Sequence, residues 1–271
     1  MKYPDPTRRI LTLLLISCSM PMSWADWLAD VSTLQNEQPH WMTPLVTVTP
    51  RLEQEYRLDI LQIDQKNGGH VDNYGNGKGL ELITPFAPVE VALSGPAYIH
   101  HPDSTAVNGW SDSSFLLKYR LLAANENNGN YIATIFMGGS LPTGSDHIGN
   151  GSAIYTPTLA LGKGSGQMDI QSTLSYSLPV SNTQHLGHQL VWNTALQIHV
   201  NAFWPEIEYN QISYRDGPNS GERQGQVTLG TLWRHRIVNR LGLALGIGYE
   251  HPVTTFNTQK NTWIGTARLS F

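Results

Sequence analysis

Cysteine and charge are both scarce in this chain. Cys18 is the only thiol among 271 residues, and Asp, Glu, Lys and Arg together make up 14% of the sequence. One cysteine excludes internal disulfides and any cluster of thiolate metal ligands. Basic residues are neither in excess nor bunched, so nucleic acid is not an expected partner. Long apolar runs are missing as well: polar residues interrupt every one before it reaches the roughly 20 residues a helix needs to cross a bilayer. Sustained helical periodicity is also hard to find.

The N-terminus carries an export signal. Lys2, Arg8 and Arg9 precede the uncharged apolar stretch 10–17, and Ser23-Trp24-Ala25 ends in the small residue that signal peptidase accepts. The pattern predicts a signal peptide over residues 1–25, cleaved after Ala25. A rival reading takes Leu15-Ile16-Ser17-Cys18 as a lipobox, which would lipidate Cys18. Loss of residues 1–25 removes Cys18 and leaves 14 basic against 20 acidic residues. Residues 26–49 show no sustained period, and either a periplasmic extension or a segment folded into a lumen fits them.

From Pro50 to the end the chain alternates polar and apolar residues over about ten positions at a time. Breaks fall at Gly, Asn, Asp or Pro. Period-two alternation sorts side chains onto the two faces of a strand. In a membrane barrel one face meets lipid and the other a polar lumen. The clearest cases are 167–178 and 241–251. In the latter, Leu241, Leu243, Leu245, Ile247 and Tyr249 oppose Gly242, Ala244, Gly246, Gly248 and Glu250. Strands are also predicted over 51–62, 74–83, 89–98, 112–122, 131–141, 153–161, 190–203, 206–214, 226–236 and 262–271. The fold expected is therefore all-β: an antiparallel transmembrane β-barrel of about twelve strands over residues 50–271. The connections alternate long and short, as extracellular loops and periplasmic turns do in such barrels. Trp204-Pro205 is expected as one of the short turns.

Aromatic residues are expected in two bands, where amphipathic rings are stable at the bilayer interfaces. Tyr155, Tyr176, Trp192, Tyr249 and Trp263 fall near outer strand ends. Tyr119, Tyr131, Trp204, Tyr209, Trp233 and Phe271 fall near inner ends. The last strand carries Trp263, Gly265, Ala267, Leu269 and Phe271 on one face. A terminal aromatic behind an apolar face resembles the signal read by the outer-membrane barrel-assembly machinery, an expected partner beside the lipid bilayer. A soluble β-sandwich would alternate too, but would have no reason to sort its aromatics.

Charged residues on the polar faces are the candidate site. They are Arg51, Glu53, Glu55, Arg57, Asp59, Glu81, Glu90, Lys118, Arg120, Asp169, Arg234, Arg236, Glu250 and Arg268. Such charges either select solutes along a pathway or pair into a network that stiffens a narrow barrel, and the two roles are compatible. The glycine-rich stretches 75–79 and 162–166 lack phosphate-loop spacing and a following helix; the second reads as an inner hairpin turn. His100, His101 and Asp103, with Asp146 and His147, lie in expected outer loops near Ser111, Ser113 and Ser114. They form the weaker candidate for a metal site or a hydrolase.

Four short elements carry a family resemblance: Thr49-Pro50-Arg51-Leu52-Glu53, Phe115-Leu116-Leu117-Lys118-Tyr119-Arg120, the stretch 138–145 with Leu141-Pro142-Thr143-Gly144, and Tyr155-Thr156-Pro157-Thr158-Leu159. Over 49–179 the chain resembles an outer-membrane family associated with the MetA pathway of phenol degradation and described as transporters. The resemblance implies a Gram-negative outer-membrane barrel that takes up small organic molecules, with no catalytic residues. The function expected is passive, porin-like passage of small, apolar or aromatic organic solutes, with no cofactor or metal and no enzyme activity. A non-conducting structural or surface-binding barrel and an outer-membrane hydrolase are the alternatives.

Overall fold

The computed structural model describes residues 23–66, 68–75, 79–85 and 87–271. Cys18 and the signal core lie outside them. Helix α1 (Trp24–Asn36) leads into an irregular segment and then a single antiparallel sheet, with a short helix α2 (Thr183–Leu186) in one loop. The sheet runs β1 (Glu55–Asp64), β2 (His70–Tyr74), β3 (Gly79–Ile83), β4 (Val89–Ser94), β5 (Tyr98–His100), β6 (Gly109–Trp110), β7 (Ser113–Ala124) and β8 (Tyr131–Leu141). It continues through β9 (Ile154–Ser165), β10 (Met168–Pro179), β11 (Gln189–Ile198), β12 (Phe203–Tyr214), β13 (Arg223–Arg236), β14 (Gly242–Pro252) and β15 (Thr262–Ser270). β15 pairs with β1 from Glu55↔Ser270 to Ile63↔Thr262, so the sheet closes. Closure leaves no backbone edge for lipid to meet.

The circumference has twelve strands. Three of them are broken. β2 and β3 both pair with β1, and β4 and β5 continue one another beside them; so do β6 and β7. In the first break, Gly75 has φ +105° and donates its N–H to the Asp59 carbonyl, and the register passes from Ile60↔Tyr74 to Arg57↔Gly79. A register shift of this kind bends the strand. Gly95-Pro96 makes the second break, where proline has no N–H to give the ladder.

Alternation along the strands is the expected one. On β1, Tyr56, Leu58 and Ile60 are exposed on the outside while Glu55, Arg57 and Asp59 are buried inside. The same outward apolar facing recurs around the wall at Ile135, Leu159, Ile170, Leu174, Ile207, Leu229 and Ile247, all exposed. The short connections that follow β3, β7, β9, β11 and β13 share one mouth with Phe271 and α1. By the usual asymmetry of such barrels this is the periplasmic mouth.

Several sequence expectations need correcting. The turn expected at Trp204-Pro205 falls at 199–202, where Asn201 supplies the positive φ. Trp204 therefore sits inside β12 with its ring buried in the lumen, and Phe203 takes the outward place, paired with Trp233. Tyr209 belongs to the outer half, its ring 5.6 Å from Trp192. Residues 162–165 are strand, not turn. Arg51 to Gln54 precede β1, and Leu52 is buried inside against Val31 and Ile83 rather than facing lipid.

Candidate functional site in the barrel lumen

Helix α1 spans the periplasmic mouth. Ser23 and Asp26 form a reciprocal capping box at its start. Its inner face buries Val31, with Trp27 and Leu34, against Leu52 and Ile83. Trp27 Nε1 donates to the Ile83 carbonyl (2.9 Å), Asn125 Nδ2 to Asn36 O (2.9 Å), and Arg240 to Leu28 O. Three periplasmic turns or strand ends thus hold one helix.

Residues 37–54 then run up the lumen, where the wall satisfies their backbone groups. The Glu208 carboxylate accepts from the Val46 N–H (2.8 Å) and Thr47 N–H (2.6 Å), and Glu206 accepts from Leu45 N–H (3.0 Å). Gln171 Nε2 donates to Met42 O (2.9 Å), Thr134 to Pro50 O (2.5 Å), and Lys118 Nζ to Arg51 O (3.0 Å). Gln38 exchanges two hydrogen bonds with the Leu52 backbone. Irregular backbone at membrane depth is tolerated only when protein or water meets its polar groups, and this wall does so.

Two side chains anchor the segment in sockets made by glycine. A Cβ built on Gly230 or Gly248 would lie 2.3 or 2.6 Å from a Leu45 methyl. Leu45 occupies the space those missing side chains leave and joins Met42, Trp204, Leu232, Ala244 and Ile264 in an apolar cluster. Trp41 fills a second socket at Gly162 and Gly164, where a Cβ would lie 2.5 and 2.7 Å from its ring.

All fourteen charges singled out above face the interior, though Arg51 and Glu53 do so from the lumen segment rather than from a strand. Lys118 is the centre of one group, 2.9 Å from Glu90 and 3.6 Å from Glu81, with no exposure to solvent. Arg57 grips Asp59 (2.6 Å) and also donates to Leu45 O (2.5 Å). Arg51 pairs with Glu53 (3.1 Å), and Arg120 with Glu37 (2.6 Å). Arg268 donates to the carbonyls of Thr43 and Pro44. Asp169 bonds Gln171 and Glu250 bonds Gln226, both at 2.9 Å. Arg234 and Arg236 differ: they are exposed at the periplasmic mouth. Sequence reasoning missed Glu206, Glu208, Gln171 and the glycine sockets, although the alternation through Glu206, Glu208 and Asn210 carried the signal for the first two.

On the outer side His100 and Asp103 belong to one chain of contacts, joined through His70 and Asp72, which lie 3.8 Å apart. His100 contacts Asp72 (3.4 Å) and Asp103 contacts His70 (2.5 Å), while the Ser111 and Ser113 hydroxyls bond Ala97 N–H and Thr143. Among the described residues no serine–histidine contact is present and no group of three ligands suits a metal.

Cavities remain on both sides of the lumen segment. Toward the outside, about 320 Å³ is bounded by Val46, Val48, Leu61, Ile63 and Ile264, beside Arg57, Asp59 and Glu250. Toward the periplasm, about 360 Å³ is bounded by α1, the segment and β13–β15.

A closed hydrogen-bonded wall, an apolar exterior and a polar interior define a transmembrane β-barrel of the outer-membrane type. Two solved structures share its fold. The NanC porin superposes with a TM-score of 0.52 at 10% identity, covering 79% of this chain and 98% of that one. The COG4313 outer membrane channel from Pseudomonas putida F1 gives 0.54 at 13% identity, over 79% and 92%. No family model and no curated protein matches the sequence. The MetA-pathway resemblance rests on its short motifs.

Proposed function

We propose that this protein is an outer-membrane channel for the passive passage of small organic solutes, and that residues 37–54 are an internal plug that narrows it. The observation that carries the reading is the pair of cavities either side of a segment seated in a closed barrel. The two porin and channel barrels of like fold support it. The outer cavity favours solutes with an apolar body, because aliphatic side chains form most of one wall and the charged groups another. Cleavage after Ala25 would keep Trp27, Val31 and Leu34, and so the apolar face by which α1 seats.

The many hydrogen bonds from wall to segment favour a second reading, a sealed structural barrel. Swelling of proteoliposomes in arabinose, a small neutral sugar, separates the two. Passage predicts swelling with the full mature chain. Swelling only after deletion of residues 26–48 would leave the sealed barrel as the correct reading.

A further inference from the structure

The periplasmic cavity is rich in arginine. Arg51, Arg234, Arg236, Arg240 and Arg268 line it against two carboxylates, Glu53 and Glu55. Of the five, only Arg51 lies within ion-pair distance of a carboxylate among the described residues. Arg268 donates to two backbone carbonyls and the Thr266 hydroxyl, and Arg240 to one carbonyl, none of which neutralises a charge. Arg234 and Arg236 are exposed, and their guanidinium groups have no hydrogen-bond partner among the described residues.

Strand register explains why these charges leave room between them. Arg234 stands opposite Ala244, which stands opposite Arg268, so the two arginines flank a methyl group at one height. One step toward the mouth, Arg236 stands opposite Gly242, which stands opposite Ser270. Small residues between long cationic ones make a recess whose rim is guanidinium. Met42 and Phe271 add apolar surface to the same cavity. A guanidinium presents a fork of N–H donors that matches a carboxylate, and it cannot lose its proton to escape the charge. Uncompensated cations beside low-dielectric walls attract an anion more strongly than they would in bulk water.

We infer that this recess binds small organic carboxylates with a compact apolar body, the carboxylate held by Arg234 and Arg236 and the body lying toward Met42 and Phe271. The inference deepens the passage reading by naming a solute class, although binding itself needs no flux. The test is calorimetric titration of the full mature barrel in detergent with benzoate, with benzyl alcohol as its neutral counterpart and with inorganic phosphate as a compact anion.

Benzoate is expected to bind about tenfold or more tightly than either, and R234A/R236A to lose about tenfold or more of that affinity. Heat-modifiable gel migration of the variant reports that the barrel has formed. Equal binding of benzoate and benzyl alcohol, phosphate binding as tight as benzoate, or full affinity in a folded R234A/R236A barrel would each overturn the assignment. Benzoate binding without arabinose swelling would sink the passage reading alone, and swelling without benzoate binding would sink this one alone.

Discussion

Leu45 is held by what its neighbours lack. Gly230, Gly246 and Gly248 bring β13 and β14 to within a methyl's reach of it, so any side chain there competes with Leu45 for the same space. Gly248→Leu is expected to expel Leu45 and raise single-channel conductance while leaving heat-modifiable migration intact; unchanged conductance would show that the socket does not hold the plug. Glu208 acts by charge instead. Its carboxylate accepts two backbone N–H groups, and charge-assisted bonds of this kind contribute about 1.5–3 kcal/mol each. Glu208→Ala should accelerate hydrogen exchange at Val46 and Thr47, with Glu208→Gln between it and the wild type. The sequence displayed the inward row of Gly242, Ala244, Gly246 and Gly248 openly. Its purpose was not legible, because a row of small residues reads as empty lumen until something is seen filling it.

At the scale of elements, strands were legible and the lumen segment was not. Period-two alternation survives because every strand has lipid on one side and polar groups on the other. Residues 37–54 have no such pair of surroundings: Leu45 meets glycines, Thr47 meets a carboxylate, and Leu52 meets a helix. With neither period, the segment gave no pattern to read. The breaks after Tyr74 and at Gly95-Pro96 were likewise hidden, since the residues on either side keep their facing. The lumen segment is tied to a periplasmic turn where the His40 N–H and ring bond Glu126, at 2.6 and 2.9 Å. Partial burial of Glu126 opposes its ionisation, but the bonds from His40 outweigh it and hold the carboxyl below its usual value. A depressed carboxylate contributes its stability above the unfolded value of about 4.3 and loses it as pH falls through the lower folded value. Exchange protection of residues 40–42 should thus be flat from pH 7 to about 5 and fall in stronger acid, and Glu126→Gln should show the acid behaviour already at pH 7.

The whole molecule turns one surface to lipid and another to its own N-terminal segment. Leu159, 44% exposed at mid-strand, belongs to the first. Leu159→Arg should destabilise the barrel by about 2–4 kcal/mol in bilayer refolding, as a cation does at the midplane of a lipid-facing wall, and a negligible cost would contradict the orientation. The second surface accounts for the burial of so much charge. Lys118, Glu81, Glu90 and Arg268 are almost completely shielded; Lys118 lies within ion-pair distance of both carboxylates, and Arg268 donates to carbonyls of the lumen segment. If the plug were removed, water would take over those bonds and the wall would remain closed. Single-channel recording in planar bilayers of the mature chain beside the same chain lacking residues 26–48 tests this directly. The account predicts small, discrete conductance steps for the first and several-fold larger ones for the second, whereas identical steps from both would contradict it.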